Sequence, residues 1–157
     1  MKNILLFTLL QLMLLSSCAS ISTSAEVPTM TPVDTGLTAV ETVNTFYTLI
    51  NDAQTEDDLT VPWNMLTLAA QCNPREQCNL FKFQEKRWPN KVLYKLYDCG
   101  SNRVVAEEMQ YPRDVDMSAA GDAQYWKYQL TEVEGVLLIS DIRKTPTPDD
   151  NCMLVVN

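Results

Sequence analysis

The chain has 157 residues, with 12 Lys or Arg against 20 Asp or Glu, a formal charge of −8 and a sequence pI of about 4.4. That length accommodates one hydrophobic core, and so acidic a balance excludes a face built to neutralise a phosphate backbone, so no nucleic acid partner is expected. Histidine is absent, which removes Ser-His-Asp and Cys-His nucleophile pairs and imidazole-ligated metal sites, because each needs a ring nitrogen.

The chain opens with Lys2 and the apolar run Ile4 to Leu15, broken only by Thr8 and Gln11. A positive start followed by a short greasy stretch suits a secretory leader, and the run is well below the roughly 20 apolar residues a membrane span requires. Leu15-Ser16-Ser17-Cys18 follows directly, then Ala19. This tetrapeptide resembles a bacterial lipobox. The resemblance implies a signal peptide over 1–17, cleavage before Cys18, a diacylglyceryl group on the Cys18 sulfur and acylation of the new amino terminus. Two or three acyl chains exceed the two-signal threshold for stable anchoring, so the expected first partner is a lipid bilayer held through acylated Cys18. With Ala19 after the cysteine, the resemblance places the protein in the bacterial cell envelope. That is the outer membrane of a two-membrane cell, or the outer face of the plasma membrane where there is only one. An ordinary signal peptide cut near Ala19 is the alternative.

Residues 18–36 join that cysteine to a stretch rich in Ser, Thr and Pro without apolar periodicity, the composition of an extended tether. A globular domain is expected over 37–157. It holds Cys72, Cys78, Cys99 and Cys152, an even set that in an exported domain reads as two disulfides. The favoured pairing is Cys72–Cys78, around the polar loop 73–77, with Cys99–Cys152 pinning the tail beyond Pro146 and Pro148. A zinc site needs close C-x2–4-C pairs that are missing here, and no metal or cofactor is expected.

Within the domain, Thr38-Ala39-Val40-Glu41 has the form of a capping box, and Leu37, Val40, Val43, Tyr47 and Ile50 recur at helical spacing, predicting a helix over 38–52. A second helix is predicted around Pro62, Trp63, Leu66, Ala69 and Ala70, ending at the Cys72–Cys78 loop. A short third helix over 79–88 would carry Leu80, Phe83 and Arg87 before Pro89 stops it. From Lys91 the period changes to two. Val92 to Tyr97 and Arg103 to Tyr111 form one predicted hairpin around Asp98 to Asn102, and Gln124 to Val133 and Val136 to Arg143 a second around the two-residue turn Glu134-Gly135. If that turn sets the register throughout, Leu130 opposes Ile139 and Tyr128 opposes Asp141 on the face of Trp126. The expected fold is α+β, with helices packed on one face of a curved antiparallel sheet.

Three features carry a family resemblance: Val43, Phe46, Tyr47 and Ile50 on the first helix; Trp63 on the second; and a late strand–Glu-Gly–strand unit ending in Leu137, Ile139 and Ile142. Together they resemble the NTF2-like superfamily, over about residues 37–145. The resemblance implies a cone-shaped fold with a pocket at its open end, into which Tyr47, Trp63, Tyr94, Trp126, Tyr128 and Asp141 would point. Two functions follow as expectations. One is a non-catalytic module that binds a small apolar ligand or an envelope protein, with a homodimer through the sheet near Tyr125 and Val133. The other is an isomerase- or dehydratase-like enzyme in which Asp141 is the base and Tyr47 or Tyr128 donates to a developing oxyanion. A purely structural role competes with both: the aromatics as core, Asp141 paired with Arg143 or Lys127, and the doublet Glu107-Glu108 on a solvated face.

Overall fold

The computed structural model describes residues 36–72, 78–117 and 120–156. The signal peptide expected over 1–17, Cys18, the expected tether apart from Gly36, and the loop 73–77 lie outside the described residues.

The first helix, α1 (Ala39–Asp52), begins where its sequence signals. Thr38 accepts a bond from the Glu41 backbone N–H, and the Glu41 carboxylate takes the Thr38 N–H at 2.7 Å, so two otherwise unbonded helix-end donors are satisfied reciprocally. Val43, Phe46, Tyr47 and Ile50 form the buried stripe. The far end of α1 is held from a distance. The Arg113 guanidinium, just past the second strand, donates to the carbonyls of Ile50, Asn51 and Ala53 and stacks on Trp88 at 4.5 Å, which supplies cationic capping where the last turn has no basic residue of its own.

The second predicted helix is not continuous. A 3-10 turn (Glu56–Leu59) leads into α2 (Thr60–Asn64), which ends in a turn at Met65; Leu66 and Thr67 leave the helix, and α3 (Leu68–Gln71) follows. The break has a tertiary cause. Thr67 N–H bonds to the Ile139 carbonyl and Ile139 N–H to the Met65 carbonyl, each at 2.9 Å, forming a parallel bridge between Leu66 and Ile139. Two backbone groups of an edge strand are thereby satisfied. The next helix, α4 (Leu80–Arg87), is capped by Asn79.

Strands β1 (Asn90–Asp98), β2 (Arg103–Pro112), β3 (Gln124–Val133), β4 (Val136–Thr145) and β5 (Met153–Val156) form one antiparallel sheet in the order β4-β3-β2-β1-β5. The Glu134-Gly135 turn closes the β3–β4 hairpin with positive φ at both residues, 53° and 84°, as a type I′ turn requires. The helices cover one face of this sheet, and Val92, Leu96, Val104, Ala106, Tyr128 and Ile139 meet them there.

The short β5 went unrecognised in the sequence. To reach it from β4 the chain must cross the whole sheet, roughly 19 Å at about 4.8 Å per strand step. Roughly seven residues at ~3.3 Å each can just reach that far when nearly extended, and Pro146 and Pro148 favour such a backbone. This strap runs over the outer face: Asp149 pairs with Lys127 of β3 at 3.4 Å, and the outward-facing Val105 of β2 is fully buried. Cys152 then joins Cys99, and the second disulfide is Cys72–Cys78. All four cysteines of the domain are thus consumed, leaving none of them as a thiolate for a metal.

Candidate ligand cleft

Strand alternation assigns the functional side chains. Across the sheet, Tyr94, Glu108 and Gln124 stand in one inner row, Leu96, Ala106, Trp126 and Lys144 in the next, and Val104, Tyr128 and Ile142 in a third. The last members of these rows are set by a bulge. From the turn up to Leu130–Ile139 the β3–β4 register follows the two-residue turn, but Gln129 pairs with Asp141, which leaves Ser140 as an extra residue. Its hydroxyl bonds to the Gln129 carbonyl at 3.0 Å. One added residue exchanges inward and outward side chains beyond it. Tyr128 therefore opposes Ile142, and the expected Tyr128–Asp141 pair does not form. Asp141 turns to the outer face and bonds Arg143, while Ile142 and Lys144 turn inward.

The floor is a buried polar cluster. Glu108 is 3% exposed, although its doublet with Glu107 reads as a solvated face; alternation from Val104 and Ala106 carries it inside. Tyr47 donates its hydroxyl to Glu108 Oε2 at 2.7 Å, and Gln110 donates to Oε1 at 3.1 Å. The Tyr47 and Tyr128 hydroxyl oxygens lie 2.6 Å apart. Because Tyr47 has one proton and gives it to Glu108, Tyr128 donates to Tyr47. Burial foremost, with the neighbouring Tyr128 and Glu108 adding to it, pushes the Tyr47 hydroxyl well above its usual range. Burial likewise raises Tyr128, with Arg87 acting in the opposite direction. Both phenols stay protonated at ordinary pH, and the chain Tyr128→Tyr47→Glu108 is a satisfied network.

Above this floor opens a cleft of about 420 Å³, within the range of small-molecule sites. Lys86 and Arg87 from the end of α4, Trp126 from β3, and Ile142 and Lys144 from β4 form its walls, and Asp122 lies on the loop before β3. Of the six residues the sequence assigns to a pocket, Trp126 lines this cleft. Tyr47 and Tyr128 meet Glu108 beneath it. Tyr94 stacks on Tyr47 with ring centroids 4.5 Å apart and donates to Asn44, so it buttresses the floor from β1. Trp63 is core, 5.2 Å from Phe83. Asp141 is on the opposite face, so the arrangement of an Asp141 base facing Tyr47 is corrected. Sequence reasoning missed Glu108, Arg87, Ile142 and Lys144; only Glu108 had a usable signal, its parity with Val104 and Ala106.

No known family model, curated protein or solved structure matches this chain.

Proposed function

We propose that the protein is a lipid-anchored, extracytoplasmic binding module, tethered through Cys18, whose NTF2-like domain holds a small molecule in the cleft above Glu108. The observation that carries this reading is the cleft itself: an aromatic and an aliphatic wall, Trp126 and Ile142, beside a few convergent polar groups, the usual composition of a ligand site. Helices on one face of an antiparallel sheet support the NTF2-like reading, and the two disulfides agree with an oxidising compartment. A binding role fits better than catalysis because the carboxylate at the floor of the cleft is held in a hydrogen-bonded network with Tyr47 and Gln110. Both Glu108 oxygens already accept hydrogen bonds, so the carboxylate serves the floor of the cleft.

Native mass spectrometry of the full chain, released from its own membranes in mild detergent, tests the reading. A small-molecule adduct present in the wild type and lost in Ile142→Arg is expected; identical spectra without an adduct would contradict it. For the anchor, Cys18→Ser should move the protein out of the membrane fraction, and unchanged fractionation would remove the lipoprotein reading.

A further inference from the structure

Resting on the reading of the cleft as a binding site, we infer that its ligand is a small organic anion, with a planar or apolar body against Trp126 and Ile142 and its charged group at Lys144, Lys86 and Arg87. The chain is acidic throughout, with a formal charge of −8, yet three cationic side chains converge on this cleft against two carboxylates. Those two are not equivalent. Glu108 is withdrawn into the floor with both oxygens engaged, so Asp122 is the acidic group left among the wall residues.

Lys86 and Arg87 have an ordinary explanation, since cations in the last turn of a helix complement its dipole. Lys144 has no helix dipole to complement; it is exposed near the end of the edge strand β4, where a lysine also discourages strand pairing. It stands opposite Trp126 on the inner face of the sheet, in a row otherwise made of Leu96, Ala106 and Trp126, and no described residue forms an ion pair with it. The Ser140 bulge decides what enters the cleft from β4. In unbroken register Asp141 would face inward beside Tyr128 and Arg143 beside Trp126; with the bulge, that acid–base pair goes to the outer face and Ile142 and Lys144 take the inner positions. The strand irregularity thus removes a negative charge and leaves a cation beside an indole. Bulges characteristically re-aim side chains next to binding sites, and charge-assisted bonds from lysine and arginine to a carboxylate or phosphate are stronger than neutral ones. Trp126 and Ile142 supply the surface for the uncharged part of such a ligand.

The test compares two probes with the same ring, 2-naphthoate and neutral 2-naphthalenemethanol. Binding is measured by equilibrium dialysis against the full chain in detergent, with protein-free micelles subtracted. At low salt the wild type should bind 2-naphthoate about tenfold or more tighter than the alcohol, the ratio should shrink as salt is added, and Lys144→Glu should abolish the preference. Lys144→Gln, which keeps the length of the side chain without its charge, should reduce the preference in part and serves if the charge-reversed protein does not fold. Competition by 1-naphthyl phosphate against 2-naphthoate separates phosphate from carboxylate ligands, and either preference supports the inference. Equal binding of both probes, or a preference unchanged in both Lys144 variants, would overturn it. If the alcohol alone binds and Ile142→Arg removes it, the cleft remains a binding site and the anion inference falls by itself. If neither probe binds and no native adduct is found, both readings fall.

Discussion

Glu107 and Glu108 are neighbours on β2, and the sheet sends them into opposite surroundings. Glu108 faces the helices, 3% exposed, with a tyrosine and a glutamine on its two oxygens. Glu107 faces outward, where Tyr97 donates to it at 2.8 Å and Lys95 pairs with it at 3.4 Å. Each glutamate therefore anchors a tyrosine hydroxyl. The inner one organises the floor of a cleft and holds α1 to the sheet, while the outer one sits in a partly solvated cluster on the face the strap crosses. The same chemistry is structural where water is excluded and minor where water competes.

The outer face has one strong fastening, the Cys99–Cys152 bridge, and its removal should give the largest effect. Its sequence separation is 53, against 6 for Cys72–Cys78. Loop-closure entropy assigns about 4 kcal/mol to the long loop and about 2 kcal/mol to the short one. Urea unfolding of Cys152→Ser and Cys78→Ser should show that order; equal losses would mean the strap is held by its other contacts. Next comes the inner carboxylate. Glu108→Ala leaves the Tyr47 hydroxyl without its acceptor in a buried space and should cost about 3 kcal/mol, whereas Glu107→Ala should cost less than about 1 kcal/mol. Comparable losses at the two positions would erase the contrast between the faces.

The buried tyrosines make the same contrast visible in alkali. Tyr47 and Tyr128 are raised above an unfolded value of 10.0, so the folded state favours their neutral forms. That stability is complete below pH 10 and is lost as the pH rises toward the folded values, by about 1.4 kcal/mol per pH unit for each group. Tyr128→Phe should flatten the decline, and a decline of unchanged slope would show that Tyr128 titrates as an exposed phenol. The smallest effect is spectroscopic. Tyr97, whose bond to Glu107 is the chief cause of its rise to about 12, should ionise earlier in Glu107→Gln with little change in stability.

Much of the frame was legible because it is local. The Thr38–Glu41 capping box, the stripe on α1, the Glu134-Gly135 turn and the alternation of Gln124 to Val133 each act within a few residues, and the structure keeps all of them. What escaped depends on distant partners. The break between α2 and α3 follows from pairing with Ile139 of an edge strand. The Ser140 bulge is hidden in Val136 to Arg143, where apolar residues occupy both parities and either register looks reasonable. Arg113 caps α1 from over sixty positions away, and Met153–Val156 is a short strand after a proline-containing segment, with no periodicity to reveal it. The cleft depends on one of these, the bulge that brings Ile142 and Lys144 beside Trp126, together with the seating of α4 and the inward turn of Glu108.

The most direct measurement is a crystal structure of the full chain purified from its native membranes without added ligand. The account expects electron density for a small molecule lying on Trp126 and Ile142, with its charged end within hydrogen-bond distance of Lys144. A cleft collapsed by Trp126 closing onto the Lys86–Arg87 turn, with no molecule inside, would contradict it.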